Sequence, residues 1–318
     1  MGIIWCGGED IDFPNGSVPS GSTTSCRTTY SRRGLVSTDG FAKSNIFTGI
    51  SSGWLRFYRF YNGAWTQYNR LYDIGLIDYS SGKGLFFGRS GANDRVGLYT
   101  YNGSTYTLLA EETDKSAASS GFFDLHIQNF GEASVLKLYK NGQLIIEFSG
   151  DSSISGITEL NCVALYNYFT GYYSEFILAD EDTRLMSLKT LAPNAAGDTS
   201  DWNGAYTAID EVTNSEADLV YTDEFDQDFM CNLTGMPAGD FICKGVKIAA
   251  RVADGIGGIG VQLGIKTNST VDVSATHELE GVFETVEQLY QQNPITSNRF
   301  TPAEIEALQA VLRSKEVA

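Results

Sequence analysis

One Asn-Gly pair between two alternating segments constrains the fold of this sequence more than any other feature. Residues 135–140 and 143–148 alternate apolar and polar side chains, and Asn141-Gly142 separates them. A two-residue type I′ turn needs positive φ at both central positions, which Asn and Gly tolerate best. The pattern therefore predicts an antiparallel β-hairpin.

Asn-Gly pairs at 62–63 and 102–103 extend the same pattern. They predict hairpins of residues 54–61 with 64–68 and of residues 96–101 with 104–109. The flanking sequences differ too much for a repeat, and helical periodicity is nearly absent before the C-terminus. We therefore expect an all-β protein with one meandering antiparallel sandwich in its N-terminal part.

Length and charge distribution predict two domains. A chain of 318 residues suits two β domains of ordinary size. Residues 1–180 carry 13 Lys/Arg and 17 Asp/Glu, whereas residues 181–318 carry 9 and 22, so most of the net charge of −17 lies in the second part. We expect a first β-sandwich domain at 1–183 and a second β-sandwich domain at 184–318, joined by the loop-rich segment 181–205.

Three strands are expected in the second domain. Residues 241–253 and 260–267 alternate around a glycine-rich turn, and a further strand is expected at 277–291.

The acidic balance disfavours two classes of partner. A net charge of −17 repels nucleic-acid phosphates and anionic lipid, so we expect no nucleic-acid partner. No apolar run approaches the roughly 20 residues of a membrane span, so no membrane insertion is expected. The first residues have neither a basic region nor an apolar stretch, so we expect a protein that is made and kept in a cytoplasm, without secretion.

The cysteines leave two alternatives open. None of the five forms a Cys-x-x-Cys pair, and the chain has two histidines, so a zinc site is poorly supplied. The first alternative is reduced, mostly buried thiols. The second is a disulfide between Cys231 and Cys243, which flank an expected hairpin and could pair once the protein reaches oxidising surroundings.

An acidic cluster is a weak candidate for a calcium site. It consists of Asp223, Glu224, Asp226 and Asp228, whose carboxylate oxygens are ligands that calcium prefers. The spacing is not that of an EF-hand, so a solvated acidic loop is favoured. We expect neither a metal nor a cofactor.

Three catalytic patterns match only in part. Gly255-x-Gly257-x-x-Gly260 fits the dinucleotide fingerprint, but a strand pattern follows where a helix is needed, so we expect a hairpin turn. The G-x-S-x-G match at 49–53 is also followed by a strand pattern, and His126 reads as a solvent-facing strand residue. The paired carboxylates of retaining glucanases lack their sequence motif. We expect no enzymatic activity.

The C-terminus carries a complete helix start. Thr301 fits an N-cap, Pro302 the first helical position, and Glu304 closes a capping box. Ile305, Leu308 and Leu312 would form one apolar stripe, so we expect a helix at about 302–314. This stripe could dock on its own domain or on symmetry mates in an oligomer.

Several segments resemble parts of tailed-bacteriophage virion proteins. Residues 95–180 resemble concanavalin A-like (laminin-G-like) domains, through Arg-Val-Gly-Leu-Tyr at 95–99, the hairpin at 140–143 and the segment 173–184. Residues 191–204 and 300–308 also look like segments of phage structural proteins. The resemblance implies that the first domain, 1–183, is a lectin-like jelly-roll sandwich, followed by a second β domain in a multi-copy virion component. It carries no catalytic residues.

The leading hypothesis is therefore a non-enzymatic virion structural protein: a decoration, fibre or tail-associated subunit. Its expected partners are other virion proteins and further copies of itself, with a trimer preferred. The alternative is a glycan-binding adhesin that contacts host surface polysaccharide through exposed aromatic side chains. A polysaccharide-degrading enzyme is a third, less favoured alternative.

Overall fold

The computed structural model describes most of the chain and divides it into two compact units. The described residues are 2–16, 20–22, 34–36, 41–60, 74–90, 95–114, 119–166, 172–212, 215–236, 239–255 and 257–317. The units are Met1–Leu188 and Lys189–Ala318. Nearly all their regular structure is antiparallel strand, so the all-β prediction is confirmed.

Unit 1 consists of two sheets. Its strands are β1 (Ile3–Gly7), β2 (Asn15–Gly16), β3 (Ser20–Ser22), β4 (Gly34–Val36), β5 (Ala42–Lys43), β6 (Gly53–Phe60), β7 (Ile74–Ile77), β8 (Gly84–Ser90), β9 (Arg95–Tyr101), β10 (Tyr106–Glu111), β11 (Gly121–Gln128), β12 (Ser134–Lys140), β13 (Gln143–Gly150), β14 (Cys162–Leu165) and β15 (Tyr172–Ala179). Sheet I has the order β13-β12-β11-β6-β15-β4-β3, with β1 also on β15. Sheet II has the order β10-β9-β8-β7-β14-β5-β2.

The core of unit 1 lies between the two sheets because strand residues alternate between faces. In β12, every second side chain is buried, Leu136 and Leu138 among them. They join one apolar cluster with Phe57 of β6 and with Leu76 and Phe87 of sheet II. The opposite face of sheet I is therefore left for polar and half-exposed residues.

The predicted hairpins have different outcomes. Asn141 and Gly142 have φ of 48° and 81° and join β12 to β13, so the type I′ hairpin is confirmed. Strands β9 and β10 also pair, but through a four-residue loop in which only Gly103 has positive φ. Strand β6 pairs with β11 and β15, and its predicted partner at 64–68 lies outside the described residues.

Unit 2 packs a large sheet against a small one. Its elements are β16 (Pro193–Ser200), β17 (Asp228–Leu233), β18 (Val246–Val252), β19 (Ile259–Thr267), β20 (Thr270–Val273), β21 (His277–Glu278), β22 (Glu284–Tyr290), α1 (Pro302–Glu306) and β23 (Gln309–Glu316). Sheet III has the order β16-β17-β23-β19-β20 with β21 on β19, and sheet IV pairs β18 with β22. Apolar side chains of both sheets form common clusters.

The predicted strands of unit 2 need two corrections. The segment 277–291 is not one strand, because β21 and β22 lie in different sheets. The glycine-rich segment after β18 is not a hairpin turn, because β18 pairs with β22 and β19 pairs with β23. In this connection the Asp254 carboxylate accepts hydrogen bonds from the backbone N–H groups of Gly257 and Ile259, at 2.8 and 3.2 Å.

The C-terminal helix begins as predicted but is much shorter. The Thr301 hydroxyl accepts from the Glu304 N–H and the Glu304 carboxylate accepts from the Thr301 N–H, which forms the capping box. The helix nevertheless ends at Glu306, so the prediction of a helix to 314 is wrong. Ile305 and Leu308 are buried in unit 2, whereas Leu312 lies in a strand.

Strand pairing explains why the apolar stripe was wrongly predicted to be helical. Strand β23 is hydrogen-bonded along its length to β17 on one side and to β19 on the other. Leu308 and Leu312 fit a helical spacing, but Gln309 and Val311 are both buried, at the alternating spacing of a strand. Tertiary pairing of a central strand outweighs local helix propensity.

Within the described part of the chain, no helix has the length and apolar character that crossing a bilayer would require.

The burial of Val311 gives a test of this strand. We expect Val311→Thr to lower the free energy of unfolding by about 1–3 kcal/mol, because it buries a hydroxyl without changing the side-chain shape much. Val282 is 64% exposed, so Val282→Thr is the matched control and should have little effect. Urea unfolding of both variants measures the difference. Equal stabilities would contradict the assignment of residues 309–316 to a central strand.

Candidate functional site

A row of side chains crosses the outer face of sheet I. Trp54 of β6 is paired in register with His126 of β11, and His126 is paired with Lys137 of β12. Their neighbours Leu55 and Leu125 are buried in the core. Since successive strand residues point to opposite faces, Trp54, His126 and Lys137 all project from the outer face.

Three rings on this face form an aromatic platform, defined as Trp54, His126 and Tyr139. The Trp54 and His126 ring centroids lie 4.3 Å apart with an interplanar angle of 12°. The Trp54 and Tyr139 centroids lie 5.7 Å apart at 25°. All three residues are only partly buried. The contacts fix the rings against one another while part of their surface stays accessible.

A buried ion pair lies beside the platform. In the next row of the sheet, Arg56 is paired in register with Asp124. The Arg56 Nη1 donates to both Asp124 carboxylate oxygens, at 2.8 and 2.9 Å, and the Asp124 side chain is 0% exposed. Burial raises the pKa of Asp124, and the charge of Arg56 opposes that rise.

This ion pair fastens the segment that follows β15, residues 181–186, which we term the strap. The Thr183 hydroxyl donates to Asp124 at 3.0 Å, and the Arg56 Nη1 donates to the Arg184 carbonyl at 3.1 Å. Thr183 is fully buried. A buried carboxylate needs such partners, because an unsatisfied charge in the interior is costly. The network therefore fixes where the strap lies on sheet I.

The strap places a cation on the platform. The Arg184 guanidinium carbon lies 4.6 Å from the Tyr139 ring centroid and 5.3 Å from that of Trp54, within the range of cation–π attraction. The Arg184 Nε donates to both Asp182 oxygens, at 3.0 and 2.9 Å. The hydrogen bond from Arg184 lowers the pKa of Asp182. The guanidinium is thus held from two sides and remains 35% exposed.

A second ion pair borders the platform. The Lys137 Nζ lies 3.0 Å from a carboxylate oxygen of Glu147, which belongs to β13. Burial, and then the charge of Lys137, lower the pKa of His126 below its ordinary value of 6.5. The imidazole is therefore neutral at pH 7, with one nitrogen as donor and the other as acceptor.

The outer face of sheet II is also aromatic, but its rings pack on one another. Phe86 is 1% exposed and makes edge contacts with Tyr101 and Tyr106, whose centroids lie 4.2 Å apart. Gly75 is paired with Phe86, and a Cβ at Gly75 would lie 2.6 Å from the Phe86 ring. Glycine is thus required for Phe86 to lie on the sheet. Tyr101 and Tyr106 are half-buried like the platform rings, so exposure does not separate the two faces. We favour the platform of sheet I as the functional surface because a cation, Arg184, and a carboxylate, Asp182, lie beside its rings.

The structure gives the weak calcium candidates other roles. Arg313 binds both Asp228 carboxylate oxygens, at 2.6 and 2.8 Å, and Lys315 pairs with Asp226. Asp223 and Glu224 are exposed. Among the described residues, no group of three or more His, Cys, Asp or Glu side chains could hold a metal ion. Two of the four carboxylates are thus already engaged by cations of β23.

Cys231 and Cys243 are free thiols in the structure, so the disulfide considered for them is not formed there. Burial raises the pKa of Cys231 to about 11 and also raises the pKa of Cys243. The thiolate needed for disulfide exchange is therefore scarce at neutral pH. Cys162 is a buried free thiol, Cys6 is buried, and Cys26 lies outside the described residues.

The partial catalytic matches lie in ordinary structural positions. Strand β6 begins at Gly53, so Ser51 is followed by a strand and not by the helix of a nucleophile elbow. Gly257 to Gly260 lead into β19, again a strand. His126 does lie on the outer face, as predicted, but it is stacked on Trp54 and half-buried.

The sequence analysis did not predict that four side chains lie close together: Trp54, His126, Tyr139 and Arg184. Alternation placed Trp54 and His126 on one face of their own strands, but the register between β6, β11 and β12 decides which rings meet. The docking of the strap, which brings Arg184 to them, has no local sequence signal.

No protein-family model matches the chain, and a search of curated proteins finds no match. Solved structures do show likeness. The carbohydrate-binding module CBM66 from Bacillus subtilis has 12% identity and a TM-score of 0.34, and the match covers 51% of this chain and 88% of that one. A Bacillus subtilis protein of unknown function with a galectin-like fold has 13% identity and a TM-score of 0.32, with 57% and 96% covered.

A catalytic domain is also similar. The glycoside hydrolase family 131 domain from Coprinopsis cinerea has 12% identity and a TM-score of 0.33, with 60% of this chain and 98% of that one covered. These names include both a binding module and an enzyme. They therefore do not decide between binding and catalysis.

The neighbours of His126 allow a test of the site by NMR. We expect His126 to titrate below 6.5, so its contribution to stability is full above about pH 6.5 and is lost as the pH falls through the lowered pKa. Lys137→Met should raise the pKa of His126 by removing a positive charge. Asp182→Asn should lower the pKa further, because the charge of Asp182 raises it. Lys83→Met, in a turn of sheet II, is the control. A wild-type pKa above 6.5 would contradict this arrangement.

Proposed function

We propose that unit 1 binds glycans through the outer face of sheet I. The observation that carries the proposal is the half-exposed aromatic platform next to polar groups that are already fixed in position. A sugar ring has an apolar C–H face and a rim of hydroxyl groups. An aromatic surface with adjoining donors and acceptors complements both.

Different side chains supply the apolar contact and the hydrogen-bonding groups. The accessible surfaces of Trp54 and Tyr139 offer apolar contact to a sugar ring. Arg184 and Lys137 are donors to hydroxyl oxygens, and Asp182 and Glu147 are acceptors from hydroxyl groups. Hydrogen bonds to charged groups are stronger than neutral ones, which favours their use in recognition.

The chemistry of the carboxylates favours binding without turnover. A glycosidase needs a carboxylic acid that is accessible to the substrate and keeps its proton near neutral pH. Asp124 has a raised pKa, but its side chain is fully buried under the strap. Asp182 is exposed, but its pKa is lowered by Arg184. Neither fits the general acid, and Glu147 is paired with Lys137. We therefore propose a non-enzymatic protein. Release of reducing sugars from a bound polysaccharide would refute that.

Replacing the platform tryptophan tests the proposal. We expect Trp54→Leu to weaken glycan binding at least about fivefold, because a stacked aromatic contact contributes about 1 kcal/mol. Tyr221→Leu is the matched control, since Tyr221 is an exposed aromatic of unit 2. Binding is measured by calorimetry with oligosaccharides first selected on a glycan array. Equal affinities of the Trp54→Leu variant and the wild type would refute binding at the platform.

The role in a tailed-phage particle remains our proposal from the resemblance of residues 95–180 and 300–308. A glycan-binding face suits a multi-copy virion subunit, because repeated weak sites act together on a polysaccharide surface. We expect mass spectrometry of purified particles to detect the chain, and native mass spectrometry of the isolated protein to give a trimer. Absence of the chain from mature particles would refute the virion role and leave the glycan proposal standing.

A further inference from the structure

We propose that the outer face of sheet I selects neutral glycans and discriminates against carboxylated or sulfated ones. This inference rests on the proposed glycan-binding function and names the ligand class of the same site. It follows from the state of the charged groups around the platform.

Among the described residues around the platform, each cation already has a carboxylate partner. Arg184 is bound through its Nε to both oxygens of Asp182, and Lys137 lies 3.0 Å from Glu147. The third cation, Arg56, is paired with Asp124 beneath the strap. An anionic ligand would have to displace one of these carboxylates, whereas a neutral hydroxyl can share the remaining donors of Arg184 and Lys137.

In the two pairs that reach the surface, the carboxylate is also more exposed than the cation. Asp182 is 44% exposed against 35% for Arg184, and Glu147 is 50% exposed against 31% for Lys137. An approaching ligand therefore meets negative charge at least as readily as positive charge. The whole chain adds a net charge of −17, which repels anions at longer range.

The platform itself supplies no compensating charge at neutral pH. Its three members are Trp54, Tyr139 and a His126 whose pKa is lowered by burial and by Lys137. The electron-rich faces of aromatic rings attract cations and not anions. The face as a whole therefore offers apolar contact and balanced hydrogen bonding, which match an uncharged sugar.

Removing one carboxylate provides the test. In Asp182→Asn the site gains one net positive charge and Arg184 loses its charged partner. We expect the ratio of affinities for a carboxylated over a neutral sugar to rise roughly tenfold. The probes are lactose with sialyllactose, and galactotriose with trigalacturonate, measured by calorimetry at low and high salt. Glu147→Gln, which releases Lys137, is a second variant with the same expected direction.

The control is Asp114→Asn, the same chemical change at an exposed residue after β10 of sheet II. It should leave the affinity ratio at the wild-type value. We expect wild-type protein to bind the neutral member of a pair with little dependence on salt, because no ion pair with the ligand is formed.

The outcomes separate this inference from the proposed function. Wild-type protein that binds the carboxylated member more tightly would overturn the selection for neutral glycans while glycan binding stands. An unchanged affinity ratio in both Asp182→Asn and Glu147→Gln would also overturn it. If neither wild type nor any variant binds any glycan on a broad array, the proposed function fails and this inference fails with it.

Discussion

The buried pairing of Arg56 with Asp124 is the interaction on which the outer face of sheet I depends. Both side chains come from central strands of the sheet, and Asp124 also accepts from Thr183 of the strap. Removing one partner of such a pair costs about 3–5 kcal/mol, because the other charge stays buried without compensation. The pair thus holds together two strands and the strap, which carries Arg184 to the platform.

This preorganisation lowers the entropic cost of binding a ligand that makes only weak contacts. Arg184 is held by Asp182 and by two rings, and His126 is stacked on Trp54. Ordering a long, mobile side chain on binding costs about 0.5–1.5 kcal/mol, and that cost is smaller when the protein has already fixed it. A sugar gains little from each contact, so a face assembled in advance is the physical requirement for useful affinity.

The fold was predictable wherever local chemistry dictates the backbone. Asn141-Gly142 accepts positive φ, and the alternation on either side then fixes the faces of β12 and β13. The capping box at Thr301 and Glu304 likewise marks a helix start by local hydrogen bonds alone. The length of that helix was not predictable, because Val311 and Leu312 pair with residues of β17 and β19, which are distant in sequence. The apolar spacing at 305, 308 and 312 fits a helix, but residues 309–316 form a strand that is hydrogen-bonded to β17 and β19.

The candidate site shows the same division between local and long-range information. Alternation correctly puts Trp54 and His126 on one face of their strands, but the sequence does not say that the two strands are neighbours. A one-residue change of register would send Trp54 into the core and Leu55 to the surface, so the site exists only because the whole sheet is in register.

The acidic residues follow a similar logic. Asp182 and Asp226 look alike as solvated carboxylates in the sequence, yet one fixes an arginine over two aromatic rings and the other pairs with a lysine of β23. A binding surface therefore differs from a solvated loop in the residues that surround each charge in three dimensions. Here those neighbours are aromatic rings that are partly exposed.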